Sequence, residues 1–380
     1  MRNKNCYITH SNCISPLGFD LESNFKALSL GISGIKYHEN SPLLNSPFFA
    51  ATIDSNQLDT AFSVIEKNQN FSRLEKMMIL ALKPIVNHQN ISSKTAFILS
   101  TTKGNITALE NTNNSIDQAH LSTLAKKIAD YFGFLTEPIV ISNACVSGVL
   151  SVAVAKRMIQ SGLYDNAFLV AGDEVSSFVL SGFNSFQAMS DNPCKPFDKD
   201  HNGVTLGEAA AAVYITSDES TISKGAIKII GDGAVNDANH ISGPSRTGEG
   251  LYKSIKCALK EANITEEAID YISAHGTATL YNDEMEAVAF NRLAFENVPV
   301  NSFKGFFGHT LGASGLLETV VAAYCANHNL LLGSKGYNEC GTTQKLNIIK
   351  ENSDKKISFF LKTASGFGGC NTAVIFEKIN

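Results

Sequence analysis

The sequence holds no Cys-x-x-Cys pair, no apolar stretch of the roughly 18 residues that a membrane span needs, and no excess of positive charge. Each absence removes a class. The eight cysteines, at 6, 13, 145, 194, 257, 325, 340 and 370, stand apart, and Cys257 and Cys325 lie within apolar segments. That spacing predicts reduced, cytosolic cysteines rather than a disulfide framework, and it predicts no metal site. The opening residues MRNKNCYITHSNCISPLG contain no apolar core of an export signal, so none is expected. A formal net charge of -5 points to neither nucleic acid nor a membrane surface as partner. With 380 residues, 44% of them hydrophobic, the chain can bury one large core or two smaller ones.

The stretch that organises what is there runs from Ile139 to Met158, IVISNACVSGVLSVAVAKRM. Ile139-Val140-Ile141 reads as a short buried strand. Ser142 and Asn143 interrupt it, and Val149, Val152, Ala153 and Met158 then recur at helical spacing. Cys145 therefore stands where a strand turns into a helix. Unpaired backbone N–H groups and the positive end of the helix dipole there favour thiolate and predict a lowered Cys pKa. Ala144, Ser147 and Gly148 leave room for a substrate. A buried structural thiol is the plainer alternative from this stretch alone.

Elsewhere the pattern predicts strands at Thr95–Ser100, Asn166–Ala171 and Ala209–Ile215. It predicts an apolar helix from Leu74 that stops at Pro84, and one amphipathic helix over Ile116–Phe132. Residues 181–208 read as an ordered functional loop. A polar gap at Ser217–Lys224 marks the expected boundary between an N-terminal half, 1–220, and a C-terminal half, 221–380. Beyond it strands (Ile227–Ile230, Ile269–Ala274, Val298–Asn301, Ile357–Leu361, Thr372–Glu377) alternate with helices (Gly250–Ala262, Asp283–Phe295, Leu311–Cys325). The alternation predicts an α/β fold with largely parallel sheets. The order strand, small-residue turn, apolar helix recurs around His309, which suggests duplicated halves with a site between them.

Two histidines share the setting of Cys145. His275 ends a predicted strand and opens His-Gly-Thr-Ala-Thr; His309 follows Gly308 and precedes a helix. Sites in α/β folds collect at the carboxyl ends of strands.

At this point a resemblance covers nearly the whole chain. Asn143-Ala144-Cys145-Val146-Ser147-Gly148, Lys195-Pro196-Phe197-Asp198, Gly207-Glu208-Ala209, His275-Gly276-Thr277-Ala278-Thr279, Asn282-Asp283, Lys304 through Gly308-His309, and Gly366-Phe367-Gly368-Gly369 occur in that order. The ordered set resembles the β-ketoacyl-acyl-carrier-protein synthases, elongating condensing enzymes of the thiolase superfamily. The resemblance implies a thiolase-like fold of two duplicated α/β halves in a five-layered α-β-α-β-α arrangement. It implies an acyltransferase that performs a decarboxylative Claisen condensation in fatty acid, polyketide or polyene synthesis.

By the same resemblance Cys145 is the nucleophile, and His275 and His309 stabilise an enolate. The backbone N–H groups of Cys145 and Phe367 form the oxyanion hole, and Phe367 gates the acyl pocket. Lys304, flanked by Phe303, Phe306 and Phe307, is expected to be buried with Glu318 as partner. Thr277, Thr279 and Gly368 contact the pantetheine arm, although the two threonines also suit plain turn chemistry. Asp283 and Glu286 structure the His275 loop, and Asp283 equally suits a helix N-cap.

No cofactor of its own is implied, since phosphopantetheine arrives on an acyl carrier protein. Homodimers, or heterodimers with a related condensing subunit, are the implied assemblies. The chain departs from the family at His201, where an Arg that helps dock the carrier usually stands, and it is short between Asn45 and Pro138. Arg73, Lys76, Lys156, Arg157 and Lys195 are the candidate cations for an acidic carrier. Starter condensing enzymes (Cys-His-Asn), thiolases with a second catalytic Cys, and a chain-length-determining partner subunit are the alternatives.

Overall fold

The computed structural model describes residues 4–379 apart from 69, 111–114, 223, 239, 240 and 242. Its frame is one large sheet of eleven strands. In chain order these are β1 (Cys6–Ile14), β2 (Thr95–Ser100), β3 (Ile139–Ile141), β4 (Asn166–Asp173), β5 (Ala209–Thr216), β6 (Ile227–Asn236), β7 (Tyr271–Ser273), β8 (Pro299–Asn301), β9 (Asn347–Ile348), β10 (Phe359–Gly366) and β11 (Cys370–Lys378). Across the sheet they lie in the order β9-β8-β7-β10-β11-β6-β1-β5-β4-β2-β3. β1 pairs with both β5 and β6, so the two halves of the sequence share one sheet.

The expectation of largely parallel sheets needs correction. β2 runs parallel to β3 and β4, and β7 parallel to β8 and β10, but β1, β5, β6 and β11 pair only antiparallel. The antiparallel centre arises because β10 and β11 form a hairpin and β1 meets two strands from distant parts of the chain. Neither pairing is written in local periodicity.

Alternation along each strand sorts side chains to two faces. In β5, Ala209, Ala211, Val213 and Ile215 point to one core and Ala210, Ala212 and Tyr214 to another. The first core holds helices α3 (Ser147–Gln160) and α7 (Ser314–His328); the second holds α1 (Arg73–Val86) and α2 (Leu121–Phe132). In β11, Val374 and Phe376 face the α3–α7 core, while Ala373 and Ile375 face α5 (Glu249–Ala262) and α6 (Leu280–Asn291). The α3–α7 pair is thus covered by sheet on both sides and helices close the outside, which gives the five layers.

Small residues let the central pair approach. A Cβ on Gly148 would lie 2.6 Å from the backbone nitrogen of Leu316, and one on Gly315 would lie 2.5 Å from that of Val149. The echo between the two halves is therefore a contact: each small-residue helix start packs against the other.

Several element boundaries differ from expectation, two of them with a clear local cause. Pro84 does not stop α1, which runs to Val86. A proline this close to the end removes one backbone bond from a helix that already has a full capping box at Ser72 and Glu75. The single helix over Ile116–Phe132 is instead a 3-10 turn, Ile116–Ala119, followed by α2, with His120 extended between them. No helix among the described residues is long and apolar enough to cross a membrane.

Candidate active site

Cys145 stands two residues before α3, after Ala144 in a left-handed conformation with φ 44°. Ser147 locks this turn: its hydroxyl accepts the Asn143 N–H at 2.8 Å and donates to the Ala144 carbonyl at 2.6 Å. His275 follows β7. Its N–H and that of Gly276 donate to the two oxygens of Glu286 at 2.8 and 2.6 Å. Asp283 accepts from the Ala278 N–H at 3.2 Å, from the Phe197 N–H at 2.6 Å and pairs with His201 at 2.9 Å. The loop after β7 is therefore held by two buried carboxylates on α6, and Asp283 lies inside that helix rather than at its N-cap, which is Thr279. His309 follows Gly308, whose φ of 67° a side chain would oppose. The His309 N–H donates to Thr205 at 2.7 Å.

These three turns, far apart in sequence, converge. Cys145 Sγ and one ring nitrogen each of His275 and His309 lie within 4.8 Å of one another, all buried. The two imidazole centroids are 5.2 Å apart and nearly perpendicular. Behind them Lys304, fully buried, donates to the His275 carbonyl, to Glu318 at 2.8 Å, and approaches His275 Nδ1 at 3.4 Å. An ammonium only donates, so Nδ1 accepts and the ring proton sits on Nε2. His309 Nδ1 is buried without a partner among the described residues.

Burial, with the Lys304 charge adding to it, pushes His275 well below the usual histidine range and His309 down to about 3. Both rings are neutral near pH 7. Burial pushes the Cys145 thiol up to about 12, and Lys304 pulls it only part of the way back. The lowered pKa expected from the helix start is thus overturned: desolvation outweighs the electropositive setting, and Cys145 rests as a thiol. Glu318 is the reverse case. Burial opposes its ionisation, but Lys304 and Lys362 hold it down to about 2.

Three ligand-type atoms this close invite a metal ion, but the surroundings oppose one. A metal on His275 Nε2 would put the ring proton on Nδ1, facing an ammonium donor. Two buried lysines also outnumber the one carboxylate between them.

The cavity over the three side chains has a volume of about 450 Å³. Thr277 and Thr279 line it, their hydroxyls 2.9 Å apart. Phe367 also lines it, half-buried, with its ring 5.6 Å from Phe183 and 5.7 Å from Phe186. The turn carrying Phe367 abuts Cys145: a Cβ on Gly366 would lie 3.0 Å from the Cys145 backbone nitrogen. Gly368 stands at the surface of this turn. It is exposed and off the cavity wall, which Gly366 and Gly369 line instead.

The expected docking cations are each paired with a carboxylate. Lys156 is fully buried against Asp232 at 2.8 Å, and Arg157 pairs with the same carboxylate. Arg73 is bound to Glu208, Lys76 to Asp59 at 2.6 Å, and Lys195 lies 3.5 Å from Asp200. His201 faces inward, onto Asp283. Lys156, Arg73 and His201 brace the fold through buried carboxylates, whereas Lys76, Arg157 and Lys195 make their pairs at or near the surface. Sequence reading missed Lys362, which joins Glu318 at 2.5 Å. Its signal was a lysine inside the apolar run Ile357–Leu361 and its continuation, where alternation aims it at the core. The Phe183 and Phe186 rings against Phe367 were also missed, since only the α4 helix (Ser177–Ser185) and its cap bring them there.

Comparison with known proteins agrees with this geometry. The family described as "Beta-ketoacyl synthase, N-terminal domain" matches residues 4–220, and "Beta-ketoacyl synthase, C-terminal domain" matches 227–337. The chain is 34% identical over 253 residues to 3-oxoacyl-[acyl-carrier-protein] synthase 2 of Rhizobium meliloti (strain 1021), covering 62% of this chain and 59% of that one. It is 30% identical over 250 residues to the protein of the same name from Staphylococcus aureus (strain COL), covering 62% and 60%. The match thus spans about three-fifths of the length of these relatives. Among solved structures, a ketosynthase in complex with its chain length factor from Xenorhabdus doucetiae superposes with a TM-score of 0.86 at 25% identity, over 99% of this chain and 98% of that one. A β-ketoacyl synthase from Burkholderia phymatum STM815, 23% identical, shares the fold with a TM-score of 0.86, over 99% of this chain and all of that one. With a family match across residues 4–220 and the Cys145, His275 and His309 cluster in place, the chain belongs to the β-ketoacyl synthase family.

Proposed function

We propose that the chain joins an acyl group held on Cys145 to a malonyl thioester on an acyl carrier protein, giving 3-oxoacyl carrier protein. In the first half-reaction the Cys145 sulfur attacks the incoming acyl thioester. The carrier's phosphopantetheine sulfur leaves with the thiol proton, so no proton is gained or lost. In the second, the bond between the malonyl α-carbon and its carboxylate breaks, carbon dioxide leaves, and the electron pair settles on the enolate. The enolate carbon attacks the acyl carbonyl, the carbon–sulfur bond breaks, and the released Cys145 sulfur takes up one proton. A thiol pushed up to about 12 keeps that proton.

His275 and His309, both neutral, donate N–H bonds to the enolate oxygen. The backbone N–H groups of Cys145 and Phe367 receive the tetrahedral oxyanion. Lys304 and Glu318 hold His275 in the donating tautomer. Asp283 and Glu286 hold its loop. Thr277 and Thr279 receive the pantetheine arm, and Phe367 swings against Phe183 and Phe186 as the gate. The single observation that carries this reading is the meeting of one sulfur and two neutral imidazoles within 4.8 Å.

The reading includes two duplicated halves dividing at residue 220, a cytoplasmic setting, and no cofactor beyond the phosphopantetheine that the carrier brings. It also includes a dimer, either of this chain or with a related subunit. The solved ketosynthase from Xenorhabdus doucetiae pairs with a chain length factor, which supports the second form. A chain-length-determining subunit without chemistry of its own is the rival. An intact cysteine beside two neutral histidines argues against it.

The test separates the half-reactions. Cys145→Ala should abolish acyl transfer. His309→Ala should keep acylation of Cys145, read by mass spectrometry, and lose condensation. Loss of both steps in the His309 variant would assign that ring to thiol activation instead.

A further inference from the structure

Glu318 needs one cation and has two. Lys304 holds one of its oxygens at 2.8 Å and Lys362 the other at 2.5 Å, while Ser314 adds a bond at 2.7 Å. Lys362 is fully buried on β10, between Phe360 and Ala364 of the same inward face. An uncompensated ammonium at such a place is costly, and an apolar residue of similar length would pack there without that cost. Its remaining donors are spent in one place: the carbonyls of Ser273 at 3.2 Å and Ala274 at 3.1 Å. Lys304 takes the next carbonyl, that of His275. Three successive carbonyls at the end of β7 are thus gripped by two ammonium groups sharing one carboxylate. The strand that carries an imidazole is fixed from behind, and the positive charge there exceeds the negative charge of Glu318 by one.

We propose that Lys362 is a positioning residue for the decarboxylation and condensation step: through Glu318 and the carbonyls of residues 273 and 274 it fixes the His275 ring. Its second positive charge also stabilises the anionic enolate. Its charge further disfavours protonation of both rings. The proposal rests on the condensing reading above. Acylation of Cys145 forms no enolate, and its oxyanion is received by the backbone N–H groups of Cys145 and Phe367 rather than by the His275 ring.

The experiment uses the full chain with acyl-loaded and malonyl-loaded carrier protein, and Lys362→Met and Lys362→Gln variants. The Met variant keeps length without charge or hydrogen bonds. The Gln variant keeps an amide donor without the charge. Both should acylate Cys145 within about threefold of the native rate, while kcat for carbon dioxide release falls about tenfold or more with KM for the malonyl carrier little changed, as expected for a group acting only as charge develops. Equal losses in both half-reactions, native decarboxylation in both variants, or failure of both to fold would overturn the proposal and make Lys362 a structural residue. Failure of the native chain itself to acylate or to release carbon dioxide would sink the condensing reading instead, a separate outcome.

Discussion

Glu286→Gln isolates the support of one imidazole from everything else in the cavity. The side chain does not itself line the cavity but sits behind residues that do. Its oxygens accept the His275 N–H at 2.8 Å, the Gly276 N–H at 2.6 Å, the Asn282 amide at 3.0 Å and the Thr363 hydroxyl at 3.3 Å. Each oxygen takes one backbone N–H, so an amide nitrogen in place of either must face a donor. One bond of about 1.5–3 kcal/mol is lost and a buried N–H is left unpaired at about 1–3 kcal/mol. Relaxation of the loop recovers part of this, so the expected loss of unfolding free energy is about 3 kcal/mol, read by urea denaturation. The catalytic effect follows from displacement of His275. A shift of about 1 Å at a reacting group costs on the order of a hundredfold, so condensation should fall about a hundredfold with acylation of Cys145 changed less than about threefold. The assay is carbon dioxide release from malonyl carrier beside mass spectrometry of the acylated protein. Native condensation with unchanged stability would refute the role of Glu286; equal loss of both steps would show that the loop also shapes the nucleophile.

Other consequences are accessible to simple assays. His309 has its pKa depressed to about 3, so between that value and the ordinary histidine range the unfolded chain binds a proton that the folded one does not. Stability should therefore fall as pH drops from about 6.5 toward 3, by up to about 1.4 kcal/mol per pH unit from this group, and His309→Asn should flatten that slope in acid denaturation. An unchanged slope would mean that the ring is charged when folded. Gly148→Ala places a Cβ against the backbone of α7 and the turn before it, 2.6 Å from Leu316 N and 2.7 Å from Gly312 O. It should cost about 1–3 kcal/mol in urea unfolding, and a neutral result would mean that the helices part freely. Phe367→Ala removes two ring contacts from a half-buried residue, so acylation efficiency should fall about tenfold or more with stability changed by less than about 1 kcal/mol. Native acylation by this variant would remove the gate.

Much of this was legible because it is local. The strand at Ile139–Ile141, the turn at Cys145 and the apolar helix after it are set by neighbouring residues, and the structure places them together. Thr95–Ser100 appears as read. Cys145 and His275 stood out because each follows a strand beside small residues, and His309 because it follows Gly308 and precedes a helix. What was not legible depends on partners distant in sequence. The antiparallel pairing of β1 with β5 and β6 joins residues some two hundred apart, and no periodicity announces it. Lys156 and Arg73 looked like surface cations because nothing nearby in sequence shows Asp232, Glu261 or Glu208. The pKa of Cys145 was misjudged for the same reason: the helix start is local and visible, whereas the burial that outweighs it comes from elements across the fold.

The most direct measurement of the central claim is a single-turnover experiment on the native protein. The chain is first loaded with an acyl group from acyl carrier protein and then mixed with malonyl carrier. The account predicts an acyl mass on the peptide containing Cys145, its disappearance on mixing, and one carbon dioxide and one 3-oxoacyl carrier formed per acyl group lost. An acyl group carried on any residue other than Cys145, or product formed with that peptide never modified, would contradict it.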